Sequence, residues 1–158
     1  MERKLLVHKV HGLSEIVDTI DINGKDYYKI KVLNEEKLTL YCPINRKGDL
    51  YRDIMTEKEA YNILDLMKNI TDVEFDFSKQ RRTHFKEMLF SGNPKNLAYL
   101  MRVLYIYKRY KDKKNQTLGL EDTRMLDTAE TMLLDEISIS LNIDRDKTMD
   151  FIVDYVRK

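Results

Sequence analysis

Residues 56–70 read TEKEAYNILDLMKNI, and they mark the point where the pattern of apolar residues changes along the chain. Apolar residues recur here every three or four positions, which is the spacing of an amphipathic helix. Thr56 and Glu59 form a capping box, so we expect the helix to begin directly after Thr56. Apolar residues alternate before this stretch, whereas helical spacing continues after it. The sequence therefore predicts a β-domain followed by a helical domain.

The alternating part runs from Lys4 to about Pro43. Asn23 and Gly24 form the residue pair that a type I′ hairpin turn prefers, because both turn positions need a positive φ. Pro43 lacks a backbone donor and ends the last strand. Four short antiparallel strands are expected. The first contains His8 and Val10, and the second covers 16–22. The third contains Tyr28, Ile30 and Val32, and the fourth contains Leu38, Leu40 and Cys42. So short a meander favours a small curled sheet or barrel.

Five helices are predicted in the second part. The first ends near Ile70, and the others are expected over about 78–90, from Pro94 to about Lys114, over 121–141 and from Asp144 onward. Asn93 and Pro94 have the residue types of an N-cap and a first helical residue. The fold class is therefore α+β, with a β-domain over 1–54 and an all-α domain over 55–158.

Composition excludes several classes of protein. The chain has 158 residues, 42% of them hydrophobic, and a formal net charge of +1. It has no apolar run near the ~20 residues of a membrane-spanning helix, and its first residues lack the apolar core of a signal peptide, so we expect a cytoplasmic location. The single cysteine, Cys42, has the inward parity of its strand and is interpreted as a buried structural thiol. A monomer is the default expectation.

Positive charge is concentrated in one block. Residues 79–114 carry eleven basic and two acidic side chains, whereas the segments on either side are acidic. Arg102, Arg109 and Lys113 share one side of the third predicted helix, opposite its apolar stripe. Lys79, Arg82 and Lys86 give the second helix a similar basic edge. Such a block suits a phosphate backbone, but it is also typical of a solvated face, of internal ion pairing or of a surface for an acidic protein.

No pattern of catalytic residues stands out. His8 and His11 are three positions apart, and on a strand they would point to opposite faces and would not share a metal unless a bulge or turn intervened. Phosphate-binding glycine loops, zinc-protease motifs and nucleophile elbows are absent from the sequence. We therefore expect neither an enzyme nor a metal or cofactor.

Several motifs together carry a resemblance to a known family. They are His11-Gly12, the strand Leu38 to Pro43, the junction Arg52-Asp53-Ile54, the segment Arg81 to Gly92 and the block Leu118 to Ala129. Their order and spacing resemble those of the CarD/CdnL family of bacterial regulators that bind RNA polymerase. The resemblance covers nearly the whole chain.

The resemblance implies a function without chemistry. A Tudor-like N-terminal domain, 1–54, would dock on the RNA polymerase β subunit through Asp21, Lys37, Thr39 and Tyr41. The helical domain, 55–158, would contact promoter DNA at the upstream edge of the bubble and stabilise the open complex. It would contact backbone and minor groove, with little sequence specificity. The DNA contacts expected on this basis, together with the basic edges, are Phe77, Ser78, Lys79, Arg81, Arg82, Lys86, Arg102, Arg109 and Lys113.

This chain departs from the family pattern at the residue that wedges into DNA. The family typically has a Trp before the second helix, and this chain has no Trp. Counting back without gaps from Ser91-Gly92 places Ser78 there, with Phe77 beside it. Phe77 is interpreted either as an apolar wedge between base steps or as a connector residue packed on the core. The alternative for the whole domain is a polymerase-binding module whose helices contact a protein instead of DNA.

Overall fold

A long hairpin organises the N-terminal part of the protein. The computed structural model describes residues 4–158. Asn23 and Gly24 have φ values of 53° and 81°, as the turn prediction requires. The five strands are β1 (Lys4–His8), β2 (Gly12–Ile22), β3 (Lys25–Val32), β4 (Thr39–Pro43) and β5 (Tyr51–Asp53). They form one antiparallel sheet in the order β4-β3-β2-β1-β5, which confirms the predicted small curled sheet.

The sheet differs from the prediction at its beginning and its end. β1 stops at His8, so Val10 lies in a turn and not in a strand. β5 pairs with β1 and was not predicted, because three residues are too short to show an alternating pattern. A short helix, α1 (Lys47–Leu50), precedes it.

The small core of the β-domain lies on one face of the sheet, but β1 is covered on both faces, since its successive residues Leu6 and Val7 are each 3% exposed. Leu6, Ile30, Cys42 and Tyr51 form the small core, so the predicted buried placement of Cys42 is confirmed. Burial raises the pKa of the Cys42 thiol and raises that of Tyr51 to about 12. This core contains no ionisable group that is charged at neutral pH.

His8 is buried at the end of β1, and the turn that follows depends on it. Its Nδ1 accepts the backbone N–H groups of Val10 and His11 at 3.0 and 3.1 Å. A turn does intervene after His8, and it brings the ring centroids of His8 and His11 to 4.8 Å, which is the exception that the sequence left open. Within residues 4–158, no group of three or more potential ligands could hold a metal ion.

We expect the β-domain to lose stability in acid through His8. Burial and, secondarily, His11 lower the pKa of His8 from 6.5, so the unfolded chain binds a proton more readily than the folded one. Stability is therefore complete above about pH 6.5 and falls as the pH decreases below it. Hydrogen exchange of the sheet amides across this range measures the loss. His8→Gln should flatten the pH dependence and the exposed His84→Gln should not; equal slopes in both variants would contradict the assignment.

Five helices form the second unit, as predicted. They are α2 (Glu57–Asn69), α3 (Lys79–Phe90), α4 (Pro94–Lys113), α5 (Leu120–Ser140) and α6 (Arg145–Arg157). Thr56, Ser78 and Asn93 cap the first three, because their side-chain oxygens accept backbone N–H groups of the first turn. The chain consists of two compact units, Met1–Ile54 and Met55–Lys158. In the part of the chain that the structure describes, no helix has the length and hydropathy to cross a membrane.

The long helix α4 is the centre of the helical unit. It packs against α2, α3 and α5. Leu97, Leu100, Leu104 and Tyr107 are buried as predicted, but Ala98, Met101 and Val103 are buried as well. The helix is therefore covered on more sides than its apolar stripe indicates, and this changes the surroundings of its basic residues.

Candidate nucleic-acid interface

The connector between α2 and α3, residues 70–78, is fixed to α4 by a buried phenol. The hydroxyl of Tyr107 donates to the carbonyl of Glu74 at 2.8 Å and accepts the N–H of Asp76 at 3.2 Å. Burial raises the pKa of Tyr107, which keeps the phenol protonated and able to make both bonds. The connector thus has a defined backbone position although it has no regular secondary structure.

Arg81 holds the same connector from α3. Its Nε donates to the carbonyl of Asp76 at 2.5 Å, and its two terminal nitrogens donate to the carboxylate of Asp122 at 2.7 and 3.1 Å. The side chains of Arg81 and Asp122 are 6% and 5% exposed. The guanidinium also lies 4.9–5.8 Å from three ring centroids, those of Phe77, Phe85 and Tyr107.

The prediction that Arg81 contacts DNA is therefore wrong. A guanidinium that is 6% exposed and held by a bidentate carboxylate partner is not accessible to a phosphate, and breaking that pair would leave a buried charge unpaired. Arg81 is a positioning residue instead. Asp122 belongs to α5, so the pair joins two of the motifs that carry the family resemblance.

Two phenylalanines of the connector have different environments. Phe77 is partly buried, packs against the helical core and has its ring centroid 5.0 Å from that of Tyr107. Phe75 is 41% exposed, and its ring stacks on Tyr110 at a centroid distance of 4.2 Å and an angle of 22°. Of the two alternatives for Phe77, the packing alternative describes its position. Phe75 presents the larger free aromatic surface, and sequence analysis missed it.

Lysines of the last turn of α4 and the residue after it border these rings. The ammonium of Lys111 lies 4.4 Å from the ring centroid of Phe77, and that of Lys114 lies 4.3 Å from the centroid of Tyr110. In both contacts the ammonium group lies over a partly exposed aromatic ring, as in a cation–π interaction. We call the set Phe75, Phe77, Tyr110, Lys111 and Lys114 the aromatic–lysine surface. Neither lysine was singled out by sequence analysis, because the helical wheel places them away from the predicted basic side.

The start of α3 lies beside this surface. Ser78 and Lys79 are both exposed. The Ser78 hydroxyl accepts the N–H of Arg81 at 3.2 Å, so its role in the structure is that of a helix cap. Asp76 accepts the N–H of Ser78, and this bond lowers the pKa of the Asp76 carboxyl. Asp76 therefore places one negative charge at the edge of the surface.

The basic edge of α3 is partly neutralised. Arg82 and Lys86 lie 3.2 and 3.6 Å from the carboxylate of Glu121 in α5. Arg82 also donates to the carbonyl of Phe77 at 2.8 Å. All three charged side chains are at least one-third exposed, so the contacts leave them accessible to a partner. Internal pairing, one of the alternatives from the sequence, thus applies to this edge.

The predicted basic ridge on α4 is not a continuous open face. Arg102 is partly buried, and its Nε donates to the carbonyl of Ile70 at the end of α2 at 3.3 Å. Arg109 and Lys113 are exposed. The expectation that Arg102 stands on the side opposite the core is wrong, because Ala98 and Met101 extend the buried surface around the helix. Arg109 borders a groove that is separate from the aromatic–lysine surface.

Three of the four residues expected to bind polymerase lie together in the β-domain. Lys37 precedes the edge strand β4, and Thr39 and Tyr41 are exposed on it, Tyr41 to 50%. Asp21 lies at the far end of β2, where it pairs with Asp26 and accepts the N–H of Gly24. Because β4 ends opposite Tyr27, Asp21 is not beside the other three.

Comparison with known proteins gives one family. The family model of the CarD C-terminal domain matches residues 61–153, which is more than half of the chain and extends from α2 into α6. Comparison with curated proteins finds no match. Regulators of this family are generally non-enzymatic. The chain belongs to the CarD family and is a CarD-like, transcription-related protein.

Proposed function

We propose that the protein is a transcription regulator that docks on the RNA polymerase β subunit through its β-domain and contacts promoter DNA through its helical domain. The observation that carries the proposal is the exposed ring of Phe75, supported by Tyr110 and bordered by lysines. The regulator acts at the upstream edge of the bubble and stabilises the open complex, with no chemical step of its own.

The aromatic–lysine surface has the two kinds of group that minor-groove binding needs. Apolar side chains such as Phe insert between base steps and hold the duplex in a distorted form. Lysines neutralise neighbouring phosphates and release condensed counterions. Backbone and minor-groove contacts carry little sequence information, so such a regulator acts on many promoters.

The rigid support of the connector favours this assignment. A wedge must keep its position when it enters a stack of bases, and Phe75 follows Glu74 and precedes Asp76, the two residues whose backbone Tyr107 binds. Arg81 adds a third bond to this segment. Lys79, Arg82 and Lys86 extend the positive charge along α3, where they would contact further phosphates.

The β-domain offers an edge strand for docking. β4 lies at one edge of the sheet, so half of its backbone groups have no strand to pair with. Thr39 and Tyr41 of β4 lie opposite Lys31 and Lys29 of β3. These four side chains therefore share one face of the sheet. An extended segment of the polymerase could add to this edge, with Tyr41 as the large side chain of the contact.

Only a small energy is needed for regulation. A ligand that binds the open complex about 1.4 kcal/mol more tightly than the closed one shifts the equilibrium about tenfold. The proposal is tested by the lifetime of the open complex on a ribosomal-type promoter with a cognate polymerase, with and without the protein, at two salt concentrations. A longer lifetime that shortens with salt supports it. No change in lifetime despite polymerase binding would favour the alternative, a module whose helices contact a protein.

The two lysines should account for part of the salt dependence. We expect Lys111→Gln with Lys114→Gln to weaken promoter binding and to reduce the slope of log affinity against log salt by about 1–2, since each lost phosphate contact removes about 0.9. Binding of the variant and the wild type to the same duplex over a salt series measures this. Lys58→Gln with Lys147→Gln removes two charges from other helices and serves as the matched control. Equal slopes for the two double variants would remove the lysines from the interface.

A further inference from the structure

A second surface of the helical unit lies between α4, the end of α2 and α6. It is a groove with a volume of about 350 Å³. Met67, Met101 and Ile152 are each 2% exposed and form its floor, and Met149 and Val156 continue the apolar lining. The rim is basic, with one guanidinium each from Arg102, Arg109 and Arg157. No residue of this groove belongs to the aromatic–lysine surface.

The positive charge of the rim is not paired in the described part of the chain. Within residues 4–158, no carboxylate lies at ion-pair distance from any of the three guanidiniums. The one hydrogen bond found for Arg102 goes to a neutral carbonyl. Burial and, secondarily, the neighbouring charge of Arg109 lower the pKa of Arg102. An anionic partner would relieve this repulsion.

Two carboxylates of the helical unit are bound by tyrosines on the helices that form the groove. Tyr105 lines the groove and donates to the carboxylate of Glu130 at 2.6 Å. Tyr155 of α6 donates to Asp65 of α2. Both carboxylates thus accept hydrogen bonds from phenols, and neither is found in an ion pair with an arginine of the rim.

The apolar lining of the groove indicates which kind of anionic partner can bind there. Three methionines give a flexible and polarisable surface that adapts to apolar side chains of different shapes, as in grooves that bind peptide helices. A nucleic-acid backbone could pair with the arginines, but its sugars and phosphates would gain nothing from an apolar floor. A peptide with both carboxylates and bulky apolar side chains uses both features.

We propose that this groove binds an acidic amphipathic peptide segment of a protein partner. An apolar side chain of the segment packs on Met67, Met101 and Met149, and its carboxylates pair with the three arginines. This site is independent of the proposed DNA contact. The regulator thus has a second binding site, at which an acidic protein can associate with it while the connector contacts DNA.

The experiment is a selection from a displayed library of random peptides of about twelve residues on the intact protein. The enriched peptides should be net acidic and should carry at least one large apolar residue. The tightest of them, synthesised with a fluorophore, should bind Arg109→Glu with Arg157→Glu about tenfold more weakly than the wild type by anisotropy, since two rim charge pairs become repulsive. Lys111→Gln with Lys114→Gln is the control and should leave peptide binding unchanged.

A second readout locates the bound peptide. With methionines labelled at the ε-methyl carbon, the resonances of Met101 and Met149 should shift on titration with the selected peptide, and that of Met132, which lies outside the groove, should not. Failure to enrich acidic peptides, equal affinity for the double arginine variant, or unmoved groove methyls would each overturn the proposal. A loss of promoter affinity in Arg109→Glu with Arg157→Glu and no loss of peptide affinity would assign the arginines to DNA instead.

Discussion

Asp122→Ala should lower the free energy of unfolding of the helical domain by about 3–5 kcal/mol, because it leaves the guanidinium of Arg81 buried without its counterion. The pair is almost fully excluded from water, with both terminal nitrogens of Arg81 bound to the Asp122 carboxylate. Urea unfolding followed by far-UV circular dichroism, which reports mainly on the helices, measures the loss.

The same two helices supply a matched control. Arg82 is the neighbour of Arg81, and Glu121 is the neighbour of Asp122, yet their contact is largely exposed. Glu121→Ala should therefore cost no more than about 1 kcal/mol, as for other surface ion pairs. A similar loss in both variants would contradict the view that burial determines the effect.

Replacing both partners separates stability from function. Arg81→Met with Asp122→Leu should recover most of the stability, since an apolar pair of similar size avoids the desolvation of two charges. It also removes the bond from Arg81 to the carbonyl of Asp76, so the connector loses one support. We expect this double variant to fold and to stabilise the open complex less well than the wild type. Full activity would show that the bond from Arg81 is not needed to position the connector.

Phe75→Ala should shorten the open-complex lifetime about tenfold and cost little stability. The lifetime change corresponds to the 1–3 kcal/mol that a base–aromatic contact contributes. The stability change is small because the ring is 41% exposed and its main contact is with Tyr110. Lifetime assays and urea unfolding of the same preparation give the two numbers.

Phe77→Ala is the control, and it should have the opposite profile. Its ring is partly buried against the helical core, so its removal should lower the free energy of unfolding by about 1–3 kcal/mol. At a temperature where the variant is fully folded, its effect on the open complex should be smaller than that of Phe75→Ala. The reverse order of lifetimes would restore Phe77 as the wedge, one position before the residue that the ungapped count from Ser91-Gly92 indicates.

The candidate site was only partly predictable from the sequence. The basic block and Phe77 were recognised, but the adjacent residues Arg81 and Arg82 could not be distinguished. One is buried and the other is partly exposed, because the carboxylate that accepts Arg81 comes from a residue 41 positions later. Phe75 and Phe77 pose the same problem, since both are aromatic and lie two residues apart. Which ring is covered depends on the packing of Tyr107 and Arg81.

The sequence by itself determined the features that depend on neighbouring residues. The positive φ values at Asn23-Gly24, the caps Thr56, Ser78 and Asn93, and the five helices with their apolar stripes all follow from interactions within a few positions. The order of the motifs was enough to place the chain in its family. Only the tertiary structure decided which charges are buried, which aromatic ring is exposed and that Arg102 borders a groove. The physical reason is that burial depends on contacts between distant segments, whereas capping and periodicity are local.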